Sequence, residues 1–177
     1  MSKPKPVVTV VERRELIRRP INEVFAFFDR PSNLKRVFPS SLAVSLERHP
    51  ADLRPGTLFR YRLRRWPLDF EWDVVVSDYR PPAHFTNVKA KGYFPRWAME
   101  HEILAREQDS ELRMCLSYEV PAGLYAALTH SYVIRDAMEE MVEAQIGAIR
   151  DALEGNPLQG DRGTGGDREI RNSDQGS

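Results

Sequence analysis

The sequence predicts one α+β domain in which a curved antiparallel sheet wraps a long C-terminal helix. Three stretches carry this reading. Residues 57–79 alternate apolar and charged side chains in a pattern that fits one hairpin register, and residues 96–120 repeat it. Residues 134–153 then place apolar side chains every three or four positions, the period of a helix face.

Composition narrows the setting. The patterned part, residues 7–154 of 177, is the size of one ordinary domain. Lys plus Arg and Asp plus Glu both total 26, so no global field favours nucleic acid or an anionic membrane. The single cysteine, Cys115, excludes an internal disulfide and a multi-cysteine zinc site, and suits a reducing compartment such as the cytoplasm. No apolar run approaches the roughly 20 residues that span a bilayer. The opening Val7–Val11 run is short and quickly followed by Glu12, Arg13 and Arg14, unlike a signal peptide. From Gly155 onward six of the chain's 10 glycines accumulate without one aromatic residue, and 155–177 is expected to be a disordered tail.

The elements follow in order. Residues 7–18 alternate as a half-solvated strand with neither face cleanly apolar. Pro20 suits the first turn of a helix, and Ile21, Val24, Phe25 and Phe28 recur at helical spacing. Pro31 ends that helix and opens a second short one carrying Leu34, Val37 and Phe38. In the first hairpin, Arg64 opposite Asp69 forces Arg62 opposite Glu71 and Arg60 opposite Asp73. The same register sets Leu63, Tyr61 and Phe59 beside Phe70, Trp72 and Val74. A slip of one residue would turn every aromatic ring outward, so the register is strongly specified.

A short strand around Phe85 and a break at Gly92 precede the second hairpin. A turn at Glu107 and Gln108 there pairs Glu102 with Arg113, Arg96 with Glu119 and His101 with Met114. After Pro121 and Gly123 a helix of about 30 residues would be about 45 Å long, which predicts a bend or break near Ser131. Its stripe is Ile134, Met138, Met141, Val142, Ile146, Ile149 and Leu153, and Gly155 closes it.

This element order resembles the helix-grip superfamily of START lipid-transfer domains, bacterial polyketide cyclases, coenzyme Q-binding proteins and plant pathogenesis-related allergens. The resemblance covers nearly all of the patterned region. Its markers are Pro20 to Phe28 with Pro31, Asn33 and Leu34; Gly56; Asp78-Tyr79-Arg-Pro-Pro with Phe85; and Gly92-Tyr-Phe-Pro-Arg-Trp97 leading to His101. It is most similar to small bacterial cyclase/dehydrase-like ligand-binding proteins. Where that group often places two alternating histidines after the tryptophan, this chain has Met99 and then His101. The glycine-rich loop of the plant allergens is not evident.

The resemblance implies a cavity between sheet and helix. Inward candidates to line it are Phe59, Tyr61, Phe70, Trp72, Phe85, Trp97, Met99, His101, Met114, Leu116 and Tyr118, faced by Met138, Met141 and Val142. Rings and thioethers suit an adaptable apolar pocket, and the same residues would equally fill a plain core. Alternation puts His101 on the apolar face of its strand, where it could bond a ligand or move a proton. His49, His84 and His130 show no metal-ligand spacing, so neither a metal nor a cofactor is expected. Arg60, Arg62 and Arg64 face carboxylates, which reads as a solvated face rather than an RNA patch.

Three functional readings follow. The first is a carrier of a lipid-, isoprenoid- or polyketide-like molecule, with no nucleic-acid partner and at most transient membrane contact. Its entrance would lie near Pro39, Trp66 to Leu68 or Gly92. The second is a cyclase, aromatase or dehydratase in which His101 works with Tyr61 or Tyr118. The third is an interaction or stress-adaptor module with a filled core, and a structure with no internal cavity above a few water volumes would reject both pocket readings and leave it.

Overall fold

A computed structural model describes residues 8–30, 33, 35–38, 41–48, 53–121 and 128–155, apart from the side chains of Lys35 and residues 128–131. Seven strands form one antiparallel sheet: β1 (Val8–Ile17), β2 (Val44–Arg48), β3 (Leu58–Arg65), β4 (Leu68–Arg80), β5 (His84–Gly92), β6 (Arg96–Arg106) and β7 (Asp109–Glu119). Their spatial order is β1-β7-β6-β5-β4-β3-β2. The expected α+β class is what the chain adopts. Val7 and residues 156–177 of the expected tail lie outside the described residues, as do Pro31, Leu34, Pro39 and His49.

Strands β1 and β2 are consecutive in sequence yet occupy opposite edges of the sheet. The chain between them therefore crosses the sheet's whole width, and this crossing carries helix α1 (Ile21–Phe28) and a 3-10 turn (Lys35–Val37). Helix α1 buries Val24, Phe25, Phe27 and Phe28, and Pro20 stands one residue before it, at the N-cap. Of the expected second helix, the described residues are Asn33, which is helical, the 3-10 turn and Phe38.

Both hairpins adopt the registers that their alternation demands. The ion pairs depart from them in two respects. Arg60 holds Asp73 at 2.7 and 3.0 Å, but Arg62 reaches diagonally to Asp69 at 2.7 Å as well as across to Glu71 at 3.2 Å. Arg64 turns away to Glu47 of β2, at 3.8 Å. Strand β2 escapes the sequence pattern, having one buried residue, Val44, in five. Without it Arg64 had no visible partner except Asp69. In the second hairpin Arg113 meets Glu102 at 3.2 Å and Arg96 meets Glu119 at 3.5 Å, as expected.

Helix α2 (Leu128–Glu154) runs 27 residues through Ser131 without a break. At about 40 Å it matches the strands beneath it, since β6 and β7 have 11 residues each, about 36 Å. Its stripe of Ile134, Met138, Met141, Val142, Ile146 and Ile149 is buried on the concave face.

Strand β1 explains its own mixed faces. Arg13 and Glu15 share the inner face with Val11 and Ile17, and they reach the flank of α2. Arg13 pairs with Glu143, Glu15 accepts from Arg150 at 2.8 Å, and the Arg18 amide donates to Glu154 at 2.9 Å. These charges tie the edge strand to the helix.

Register shifts in the β4–β5 pairing, between Asp73 and Val74 and between Val76 and Asp78, let the sheet curl. Gly92 ends β5 at φ 109°, where an added Cβ would lie 2.6 Å from both the Glu71 carbonyl oxygen and Trp72 Cα. Gly92→Ala is therefore expected to cost about 2 kcal/mol or more in urea denaturation. Gly56→Ala has a comparable φ of 83° but open space around it, so it should cost clearly less. Equal losses would show that backbone conformation alone, and not the close approach to β4, requires Gly92.

Candidate functional site

The pleat of β5 and β6 sends Phe85, Asn87, Trp97, Met99 and His101 to the concave side. Phe59 and Tyr61 join them from β3, and Met114 from β7. Helix α2 closes the space with Met141, Gln145 and Ile149. The crossing segment adds Phe28, Val37 and Phe38, and Leu53 comes from the approach to β3. Together these residues line an internal cavity of about 30 Å³, room for about two water molecules. Phe38 is the one lining residue that is only half buried.

Eight of the fourteen residues expected from sequence meet at this cavity: Phe59, Tyr61, Phe85, Trp97, Met99, His101, Met114 and Met141. The other six do not reach it. Trp72 and Tyr118 are buried against Phe94, whose ring stands edge-on to both at 5.1 and 5.7 Å, and Phe70 stacks on Tyr93 at 3.7 Å. Leu116, Met138 and Val142 are fully buried in the core. Phe94, between β5 and β6, fills that end of the concave face and confines the cavity to the other.

Sequence reasoning passed over two polar lining residues, Asn87 and Gln145, which are 4% and 5% exposed. Both had a signal. Asn87 lies two positions after Phe85 and so shares its face. Gln145 lies four residues after Met141 and four before Ile149, a polar side chain on the apolar stripe. Phe28, Val37, Phe38 and Leu53 carried no such mark, because only the path of the crossing segment brings them here.

His101 stacks on Phe85 with ring centroids 4.1 Å apart and meets Phe28 edge-on at 5.4 Å. Burial, with a smaller push from His84, drives its pKa down to about 3 against a backbone hydrogen bond with Phe85. The ring is neutral at physiological pH. Burial raises the Tyr61 hydroxyl well above its ordinary value. Neither group titrates near neutrality, where a general acid or base works best. Tyr118 sits away from the cavity, so the expected partnership of His101 with it is not assembled.

Three polar atoms on one wall are buried without a hydrogen-bond partner among the described residues: Asn87 Oδ1, Trp97 Nε1 and His101 Nδ1. Trp72 Nε1 and Tyr93 Oη are also unpartnered but lie elsewhere. What sets the three apart is their shared cavity, since native interiors satisfy most such atoms. Among the described residues no group of three His, Cys, Asp or Glu side chains could hold a metal ion, and no helix is long and apolar enough to cross a membrane. Cys115 faces the outer side opposite Glu12 and Glu100, its thiol pKa raised by burial.

The sequence matches no protein-family model and no curated protein. Solved structures do match. Truncated norcoclaurine synthase from Thalictrum flavum superposes with a TM-score of 0.65 at 12% identity, covering 89% of this chain and 100% of that one. Protein TTHA0849 from Thermus thermophilus gives 0.63 at 15% identity, covering 83% and 98%. The chain has the helix-grip fold. Ara h 8.0201 extends the likeness, with a TM-score of 0.57 at 11% identity over 85% of this chain and all of that one. The helix-grip resemblance read from the sequence thus holds for the fold.

The buried histidine has a consequence for stability. Its native pKa of about 3 lies below the ordinary 6.5, so between these values the unfolded chain takes up a proton that the folded chain refuses. Stability at this position is lost as the pH falls from about 6.5 toward 3, by up to tenfold in the folding equilibrium per pH unit. Urea denaturation between about pH 7 and pH 4 should show a smaller loss for His101→Leu than for the natural chain. Equal losses would contradict a buried neutral imidazole.

Proposed function

We propose that the protein binds or carries a small, mostly apolar molecule of the lipid, isoprenoid or polyketide-like kind between the sheet and α2. The observation that carries this reading is that three residues lining one mostly apolar cavity each hold a buried polar atom without a partner among the described residues. A core needed only for stability gains nothing from Asn87, His101 and Gln145 where leucines would pack without desolvation cost. Ligand pockets combine such groups: apolar walls for affinity and a few polar atoms for orientation.

At 30 Å³ the cavity is closed around almost nothing, so binding requires it to open. Met99, Met114 and Met141 supply flexible thioether walls that repack at low cost. Phe38 is the natural gate, resting against Tyr61 at 5.6 Å and reaching solvent next to the 3-10 turn. On this reading the entrance lies beside that turn. The cytoplasm suits such a carrier, given one unpaired cysteine. Norcoclaurine synthase, an enzyme by name, shares the fold. Here, however, the neutral His101 and the high pKa of Tyr61 favour a carrier over a cyclase, aromatase or dehydratase.

A cavity of about two waters meets the condition set from sequence for rejecting both pocket readings in favour of an interaction or stress-adaptor module with a filled core. The carrier reading departs from that condition by having the cavity open on binding. Titration with the uncharged apolar dye Nile red separates the two. A carrier is expected to bind the dye, Phe38→Ala to bind it faster, and Met141→Phe, which fills the cavity, to bind at least about tenfold more weakly. Dye binding that ignores Met141→Phe, or no binding at all in folded protein, would leave the adaptor.

A further inference from the structure

We infer that the ligand carries an uncharged hydroxyl group held beside Asn87. The inference rests on the binding reading above and adds the chemistry of the ligand's polar end.

Asn87 of β5 stands opposite Met99 of β6. On the inner face it is therefore diagonal to both Trp97 and His101, about 7 Å away in each direction, within reach of long side chains. The unpartnered atoms form a short polar strip with the asparagine amide at its centre. Their chemistries are complementary: the Trp97 indole N–H only donates, Asn87 Oδ1 only accepts, and Nδ1 of a neutral His101 does one or the other according to tautomer. A hydroxyl group accepts from the indole and donates to the amide oxygen at once. An ether or a ketone serves the donor and leaves the acceptor stranded. The Asn87 orientation that leaves Oδ1 without a partner is the one this inference rests on.

Charge points the same way. Among the described residues no Lys, Arg, Asp or Glu lines the cavity, and Gln145 adds a second neutral amide from the helix side. A carboxylate or phosphate would turn lone pairs toward Asn87 Oδ1 with no cation to offset its desolvation, and an ammonium would find no carboxylate. Apolar alcohols and phenols fit; fatty acids and phosphorylated isoprenoids do not.

The test is calorimetric titration of the full chain near neutral pH with three probes of one shape: 2-naphthol, naphthalene and 2-naphthoate. The expected order is 2-naphthol about tenfold tighter than naphthalene, with 2-naphthoate weakest. Asn87→Leu should erase the advantage of 2-naphthol while keeping naphthalene binding. If that variant does not fold, Trp97→Phe should reduce the same advantage. The inference is overturned if 2-naphthoate binds as well as 2-naphthol, or if the hydroxyl preference survives both substitutions. Binding of naphthalene and 2-naphthol with equal affinity overturns it while leaving the apolar-carrier reading intact. No binding of any probe overturns both.

Discussion

The structure depends on the need to bury one entire face of a seven-stranded sheet. Alternation along β3, β4, β6 and β7 makes that face apolar from Phe59 and Leu63 through Trp72 and Val74 to Leu112 and Leu116, all nearly inaccessible. Among the described residues α2 is the only covering element long enough, and it meets that face with a stripe from Ile134 to Ile149. Curvature follows, because a flat sheet of this width would leave its outer strands uncovered. The irregularities of the β4–β5 pairing supply the bend, and ion pairs from Arg13 and Glu15 hold the edge strand to the helix. Such exposed pairs add little energy each, but they fix where the helix lies.

The same geometry creates the site. A sheet that bends around one cylinder cannot touch it equally everywhere, and the gap opens where β5 and β6 face Met141 and Gln145. At the other end Phe94 fills the gap and Trp72 and Tyr118 become core. The crossing segment from β1 to β2 then covers the remaining opening with Phe28, Val37 and Phe38. Asn87, Trp97 and His101, each with an unpartnered buried polar atom, all lie around this gap.

The fold was legible in the sequence to an unusual depth, since charge and apolar alternation agreed on the registers of both hairpins. Strand β2 was not legible: five residues at the sheet edge with one buried side chain leave no period to read, so Arg64, rightly placed opposite Asp69, could not be given its ion-pair partner Glu47. The site was half legible. Alternation identifies which residues point inward, but whether an inward ring meets the cavity or another ring depends on curvature, which Trp72 and Tyr118 do not encode locally. Asn87 and Gln145 were visible as polar interruptions of apolar faces. A search confined to aromatic, thioether and titratable groups passes over such interruptions.

The central claim is that the closed cavity is the resting form of a ligand site. Native mass spectrometry of the protein purified from its own host tests it most directly. The account predicts a fraction of the protein carrying a noncovalent small molecule, apolar and hydroxyl-bearing, that is absent from Met141→Phe. Folded protein that carries no such mass, whether natural or substituted, would contradict it.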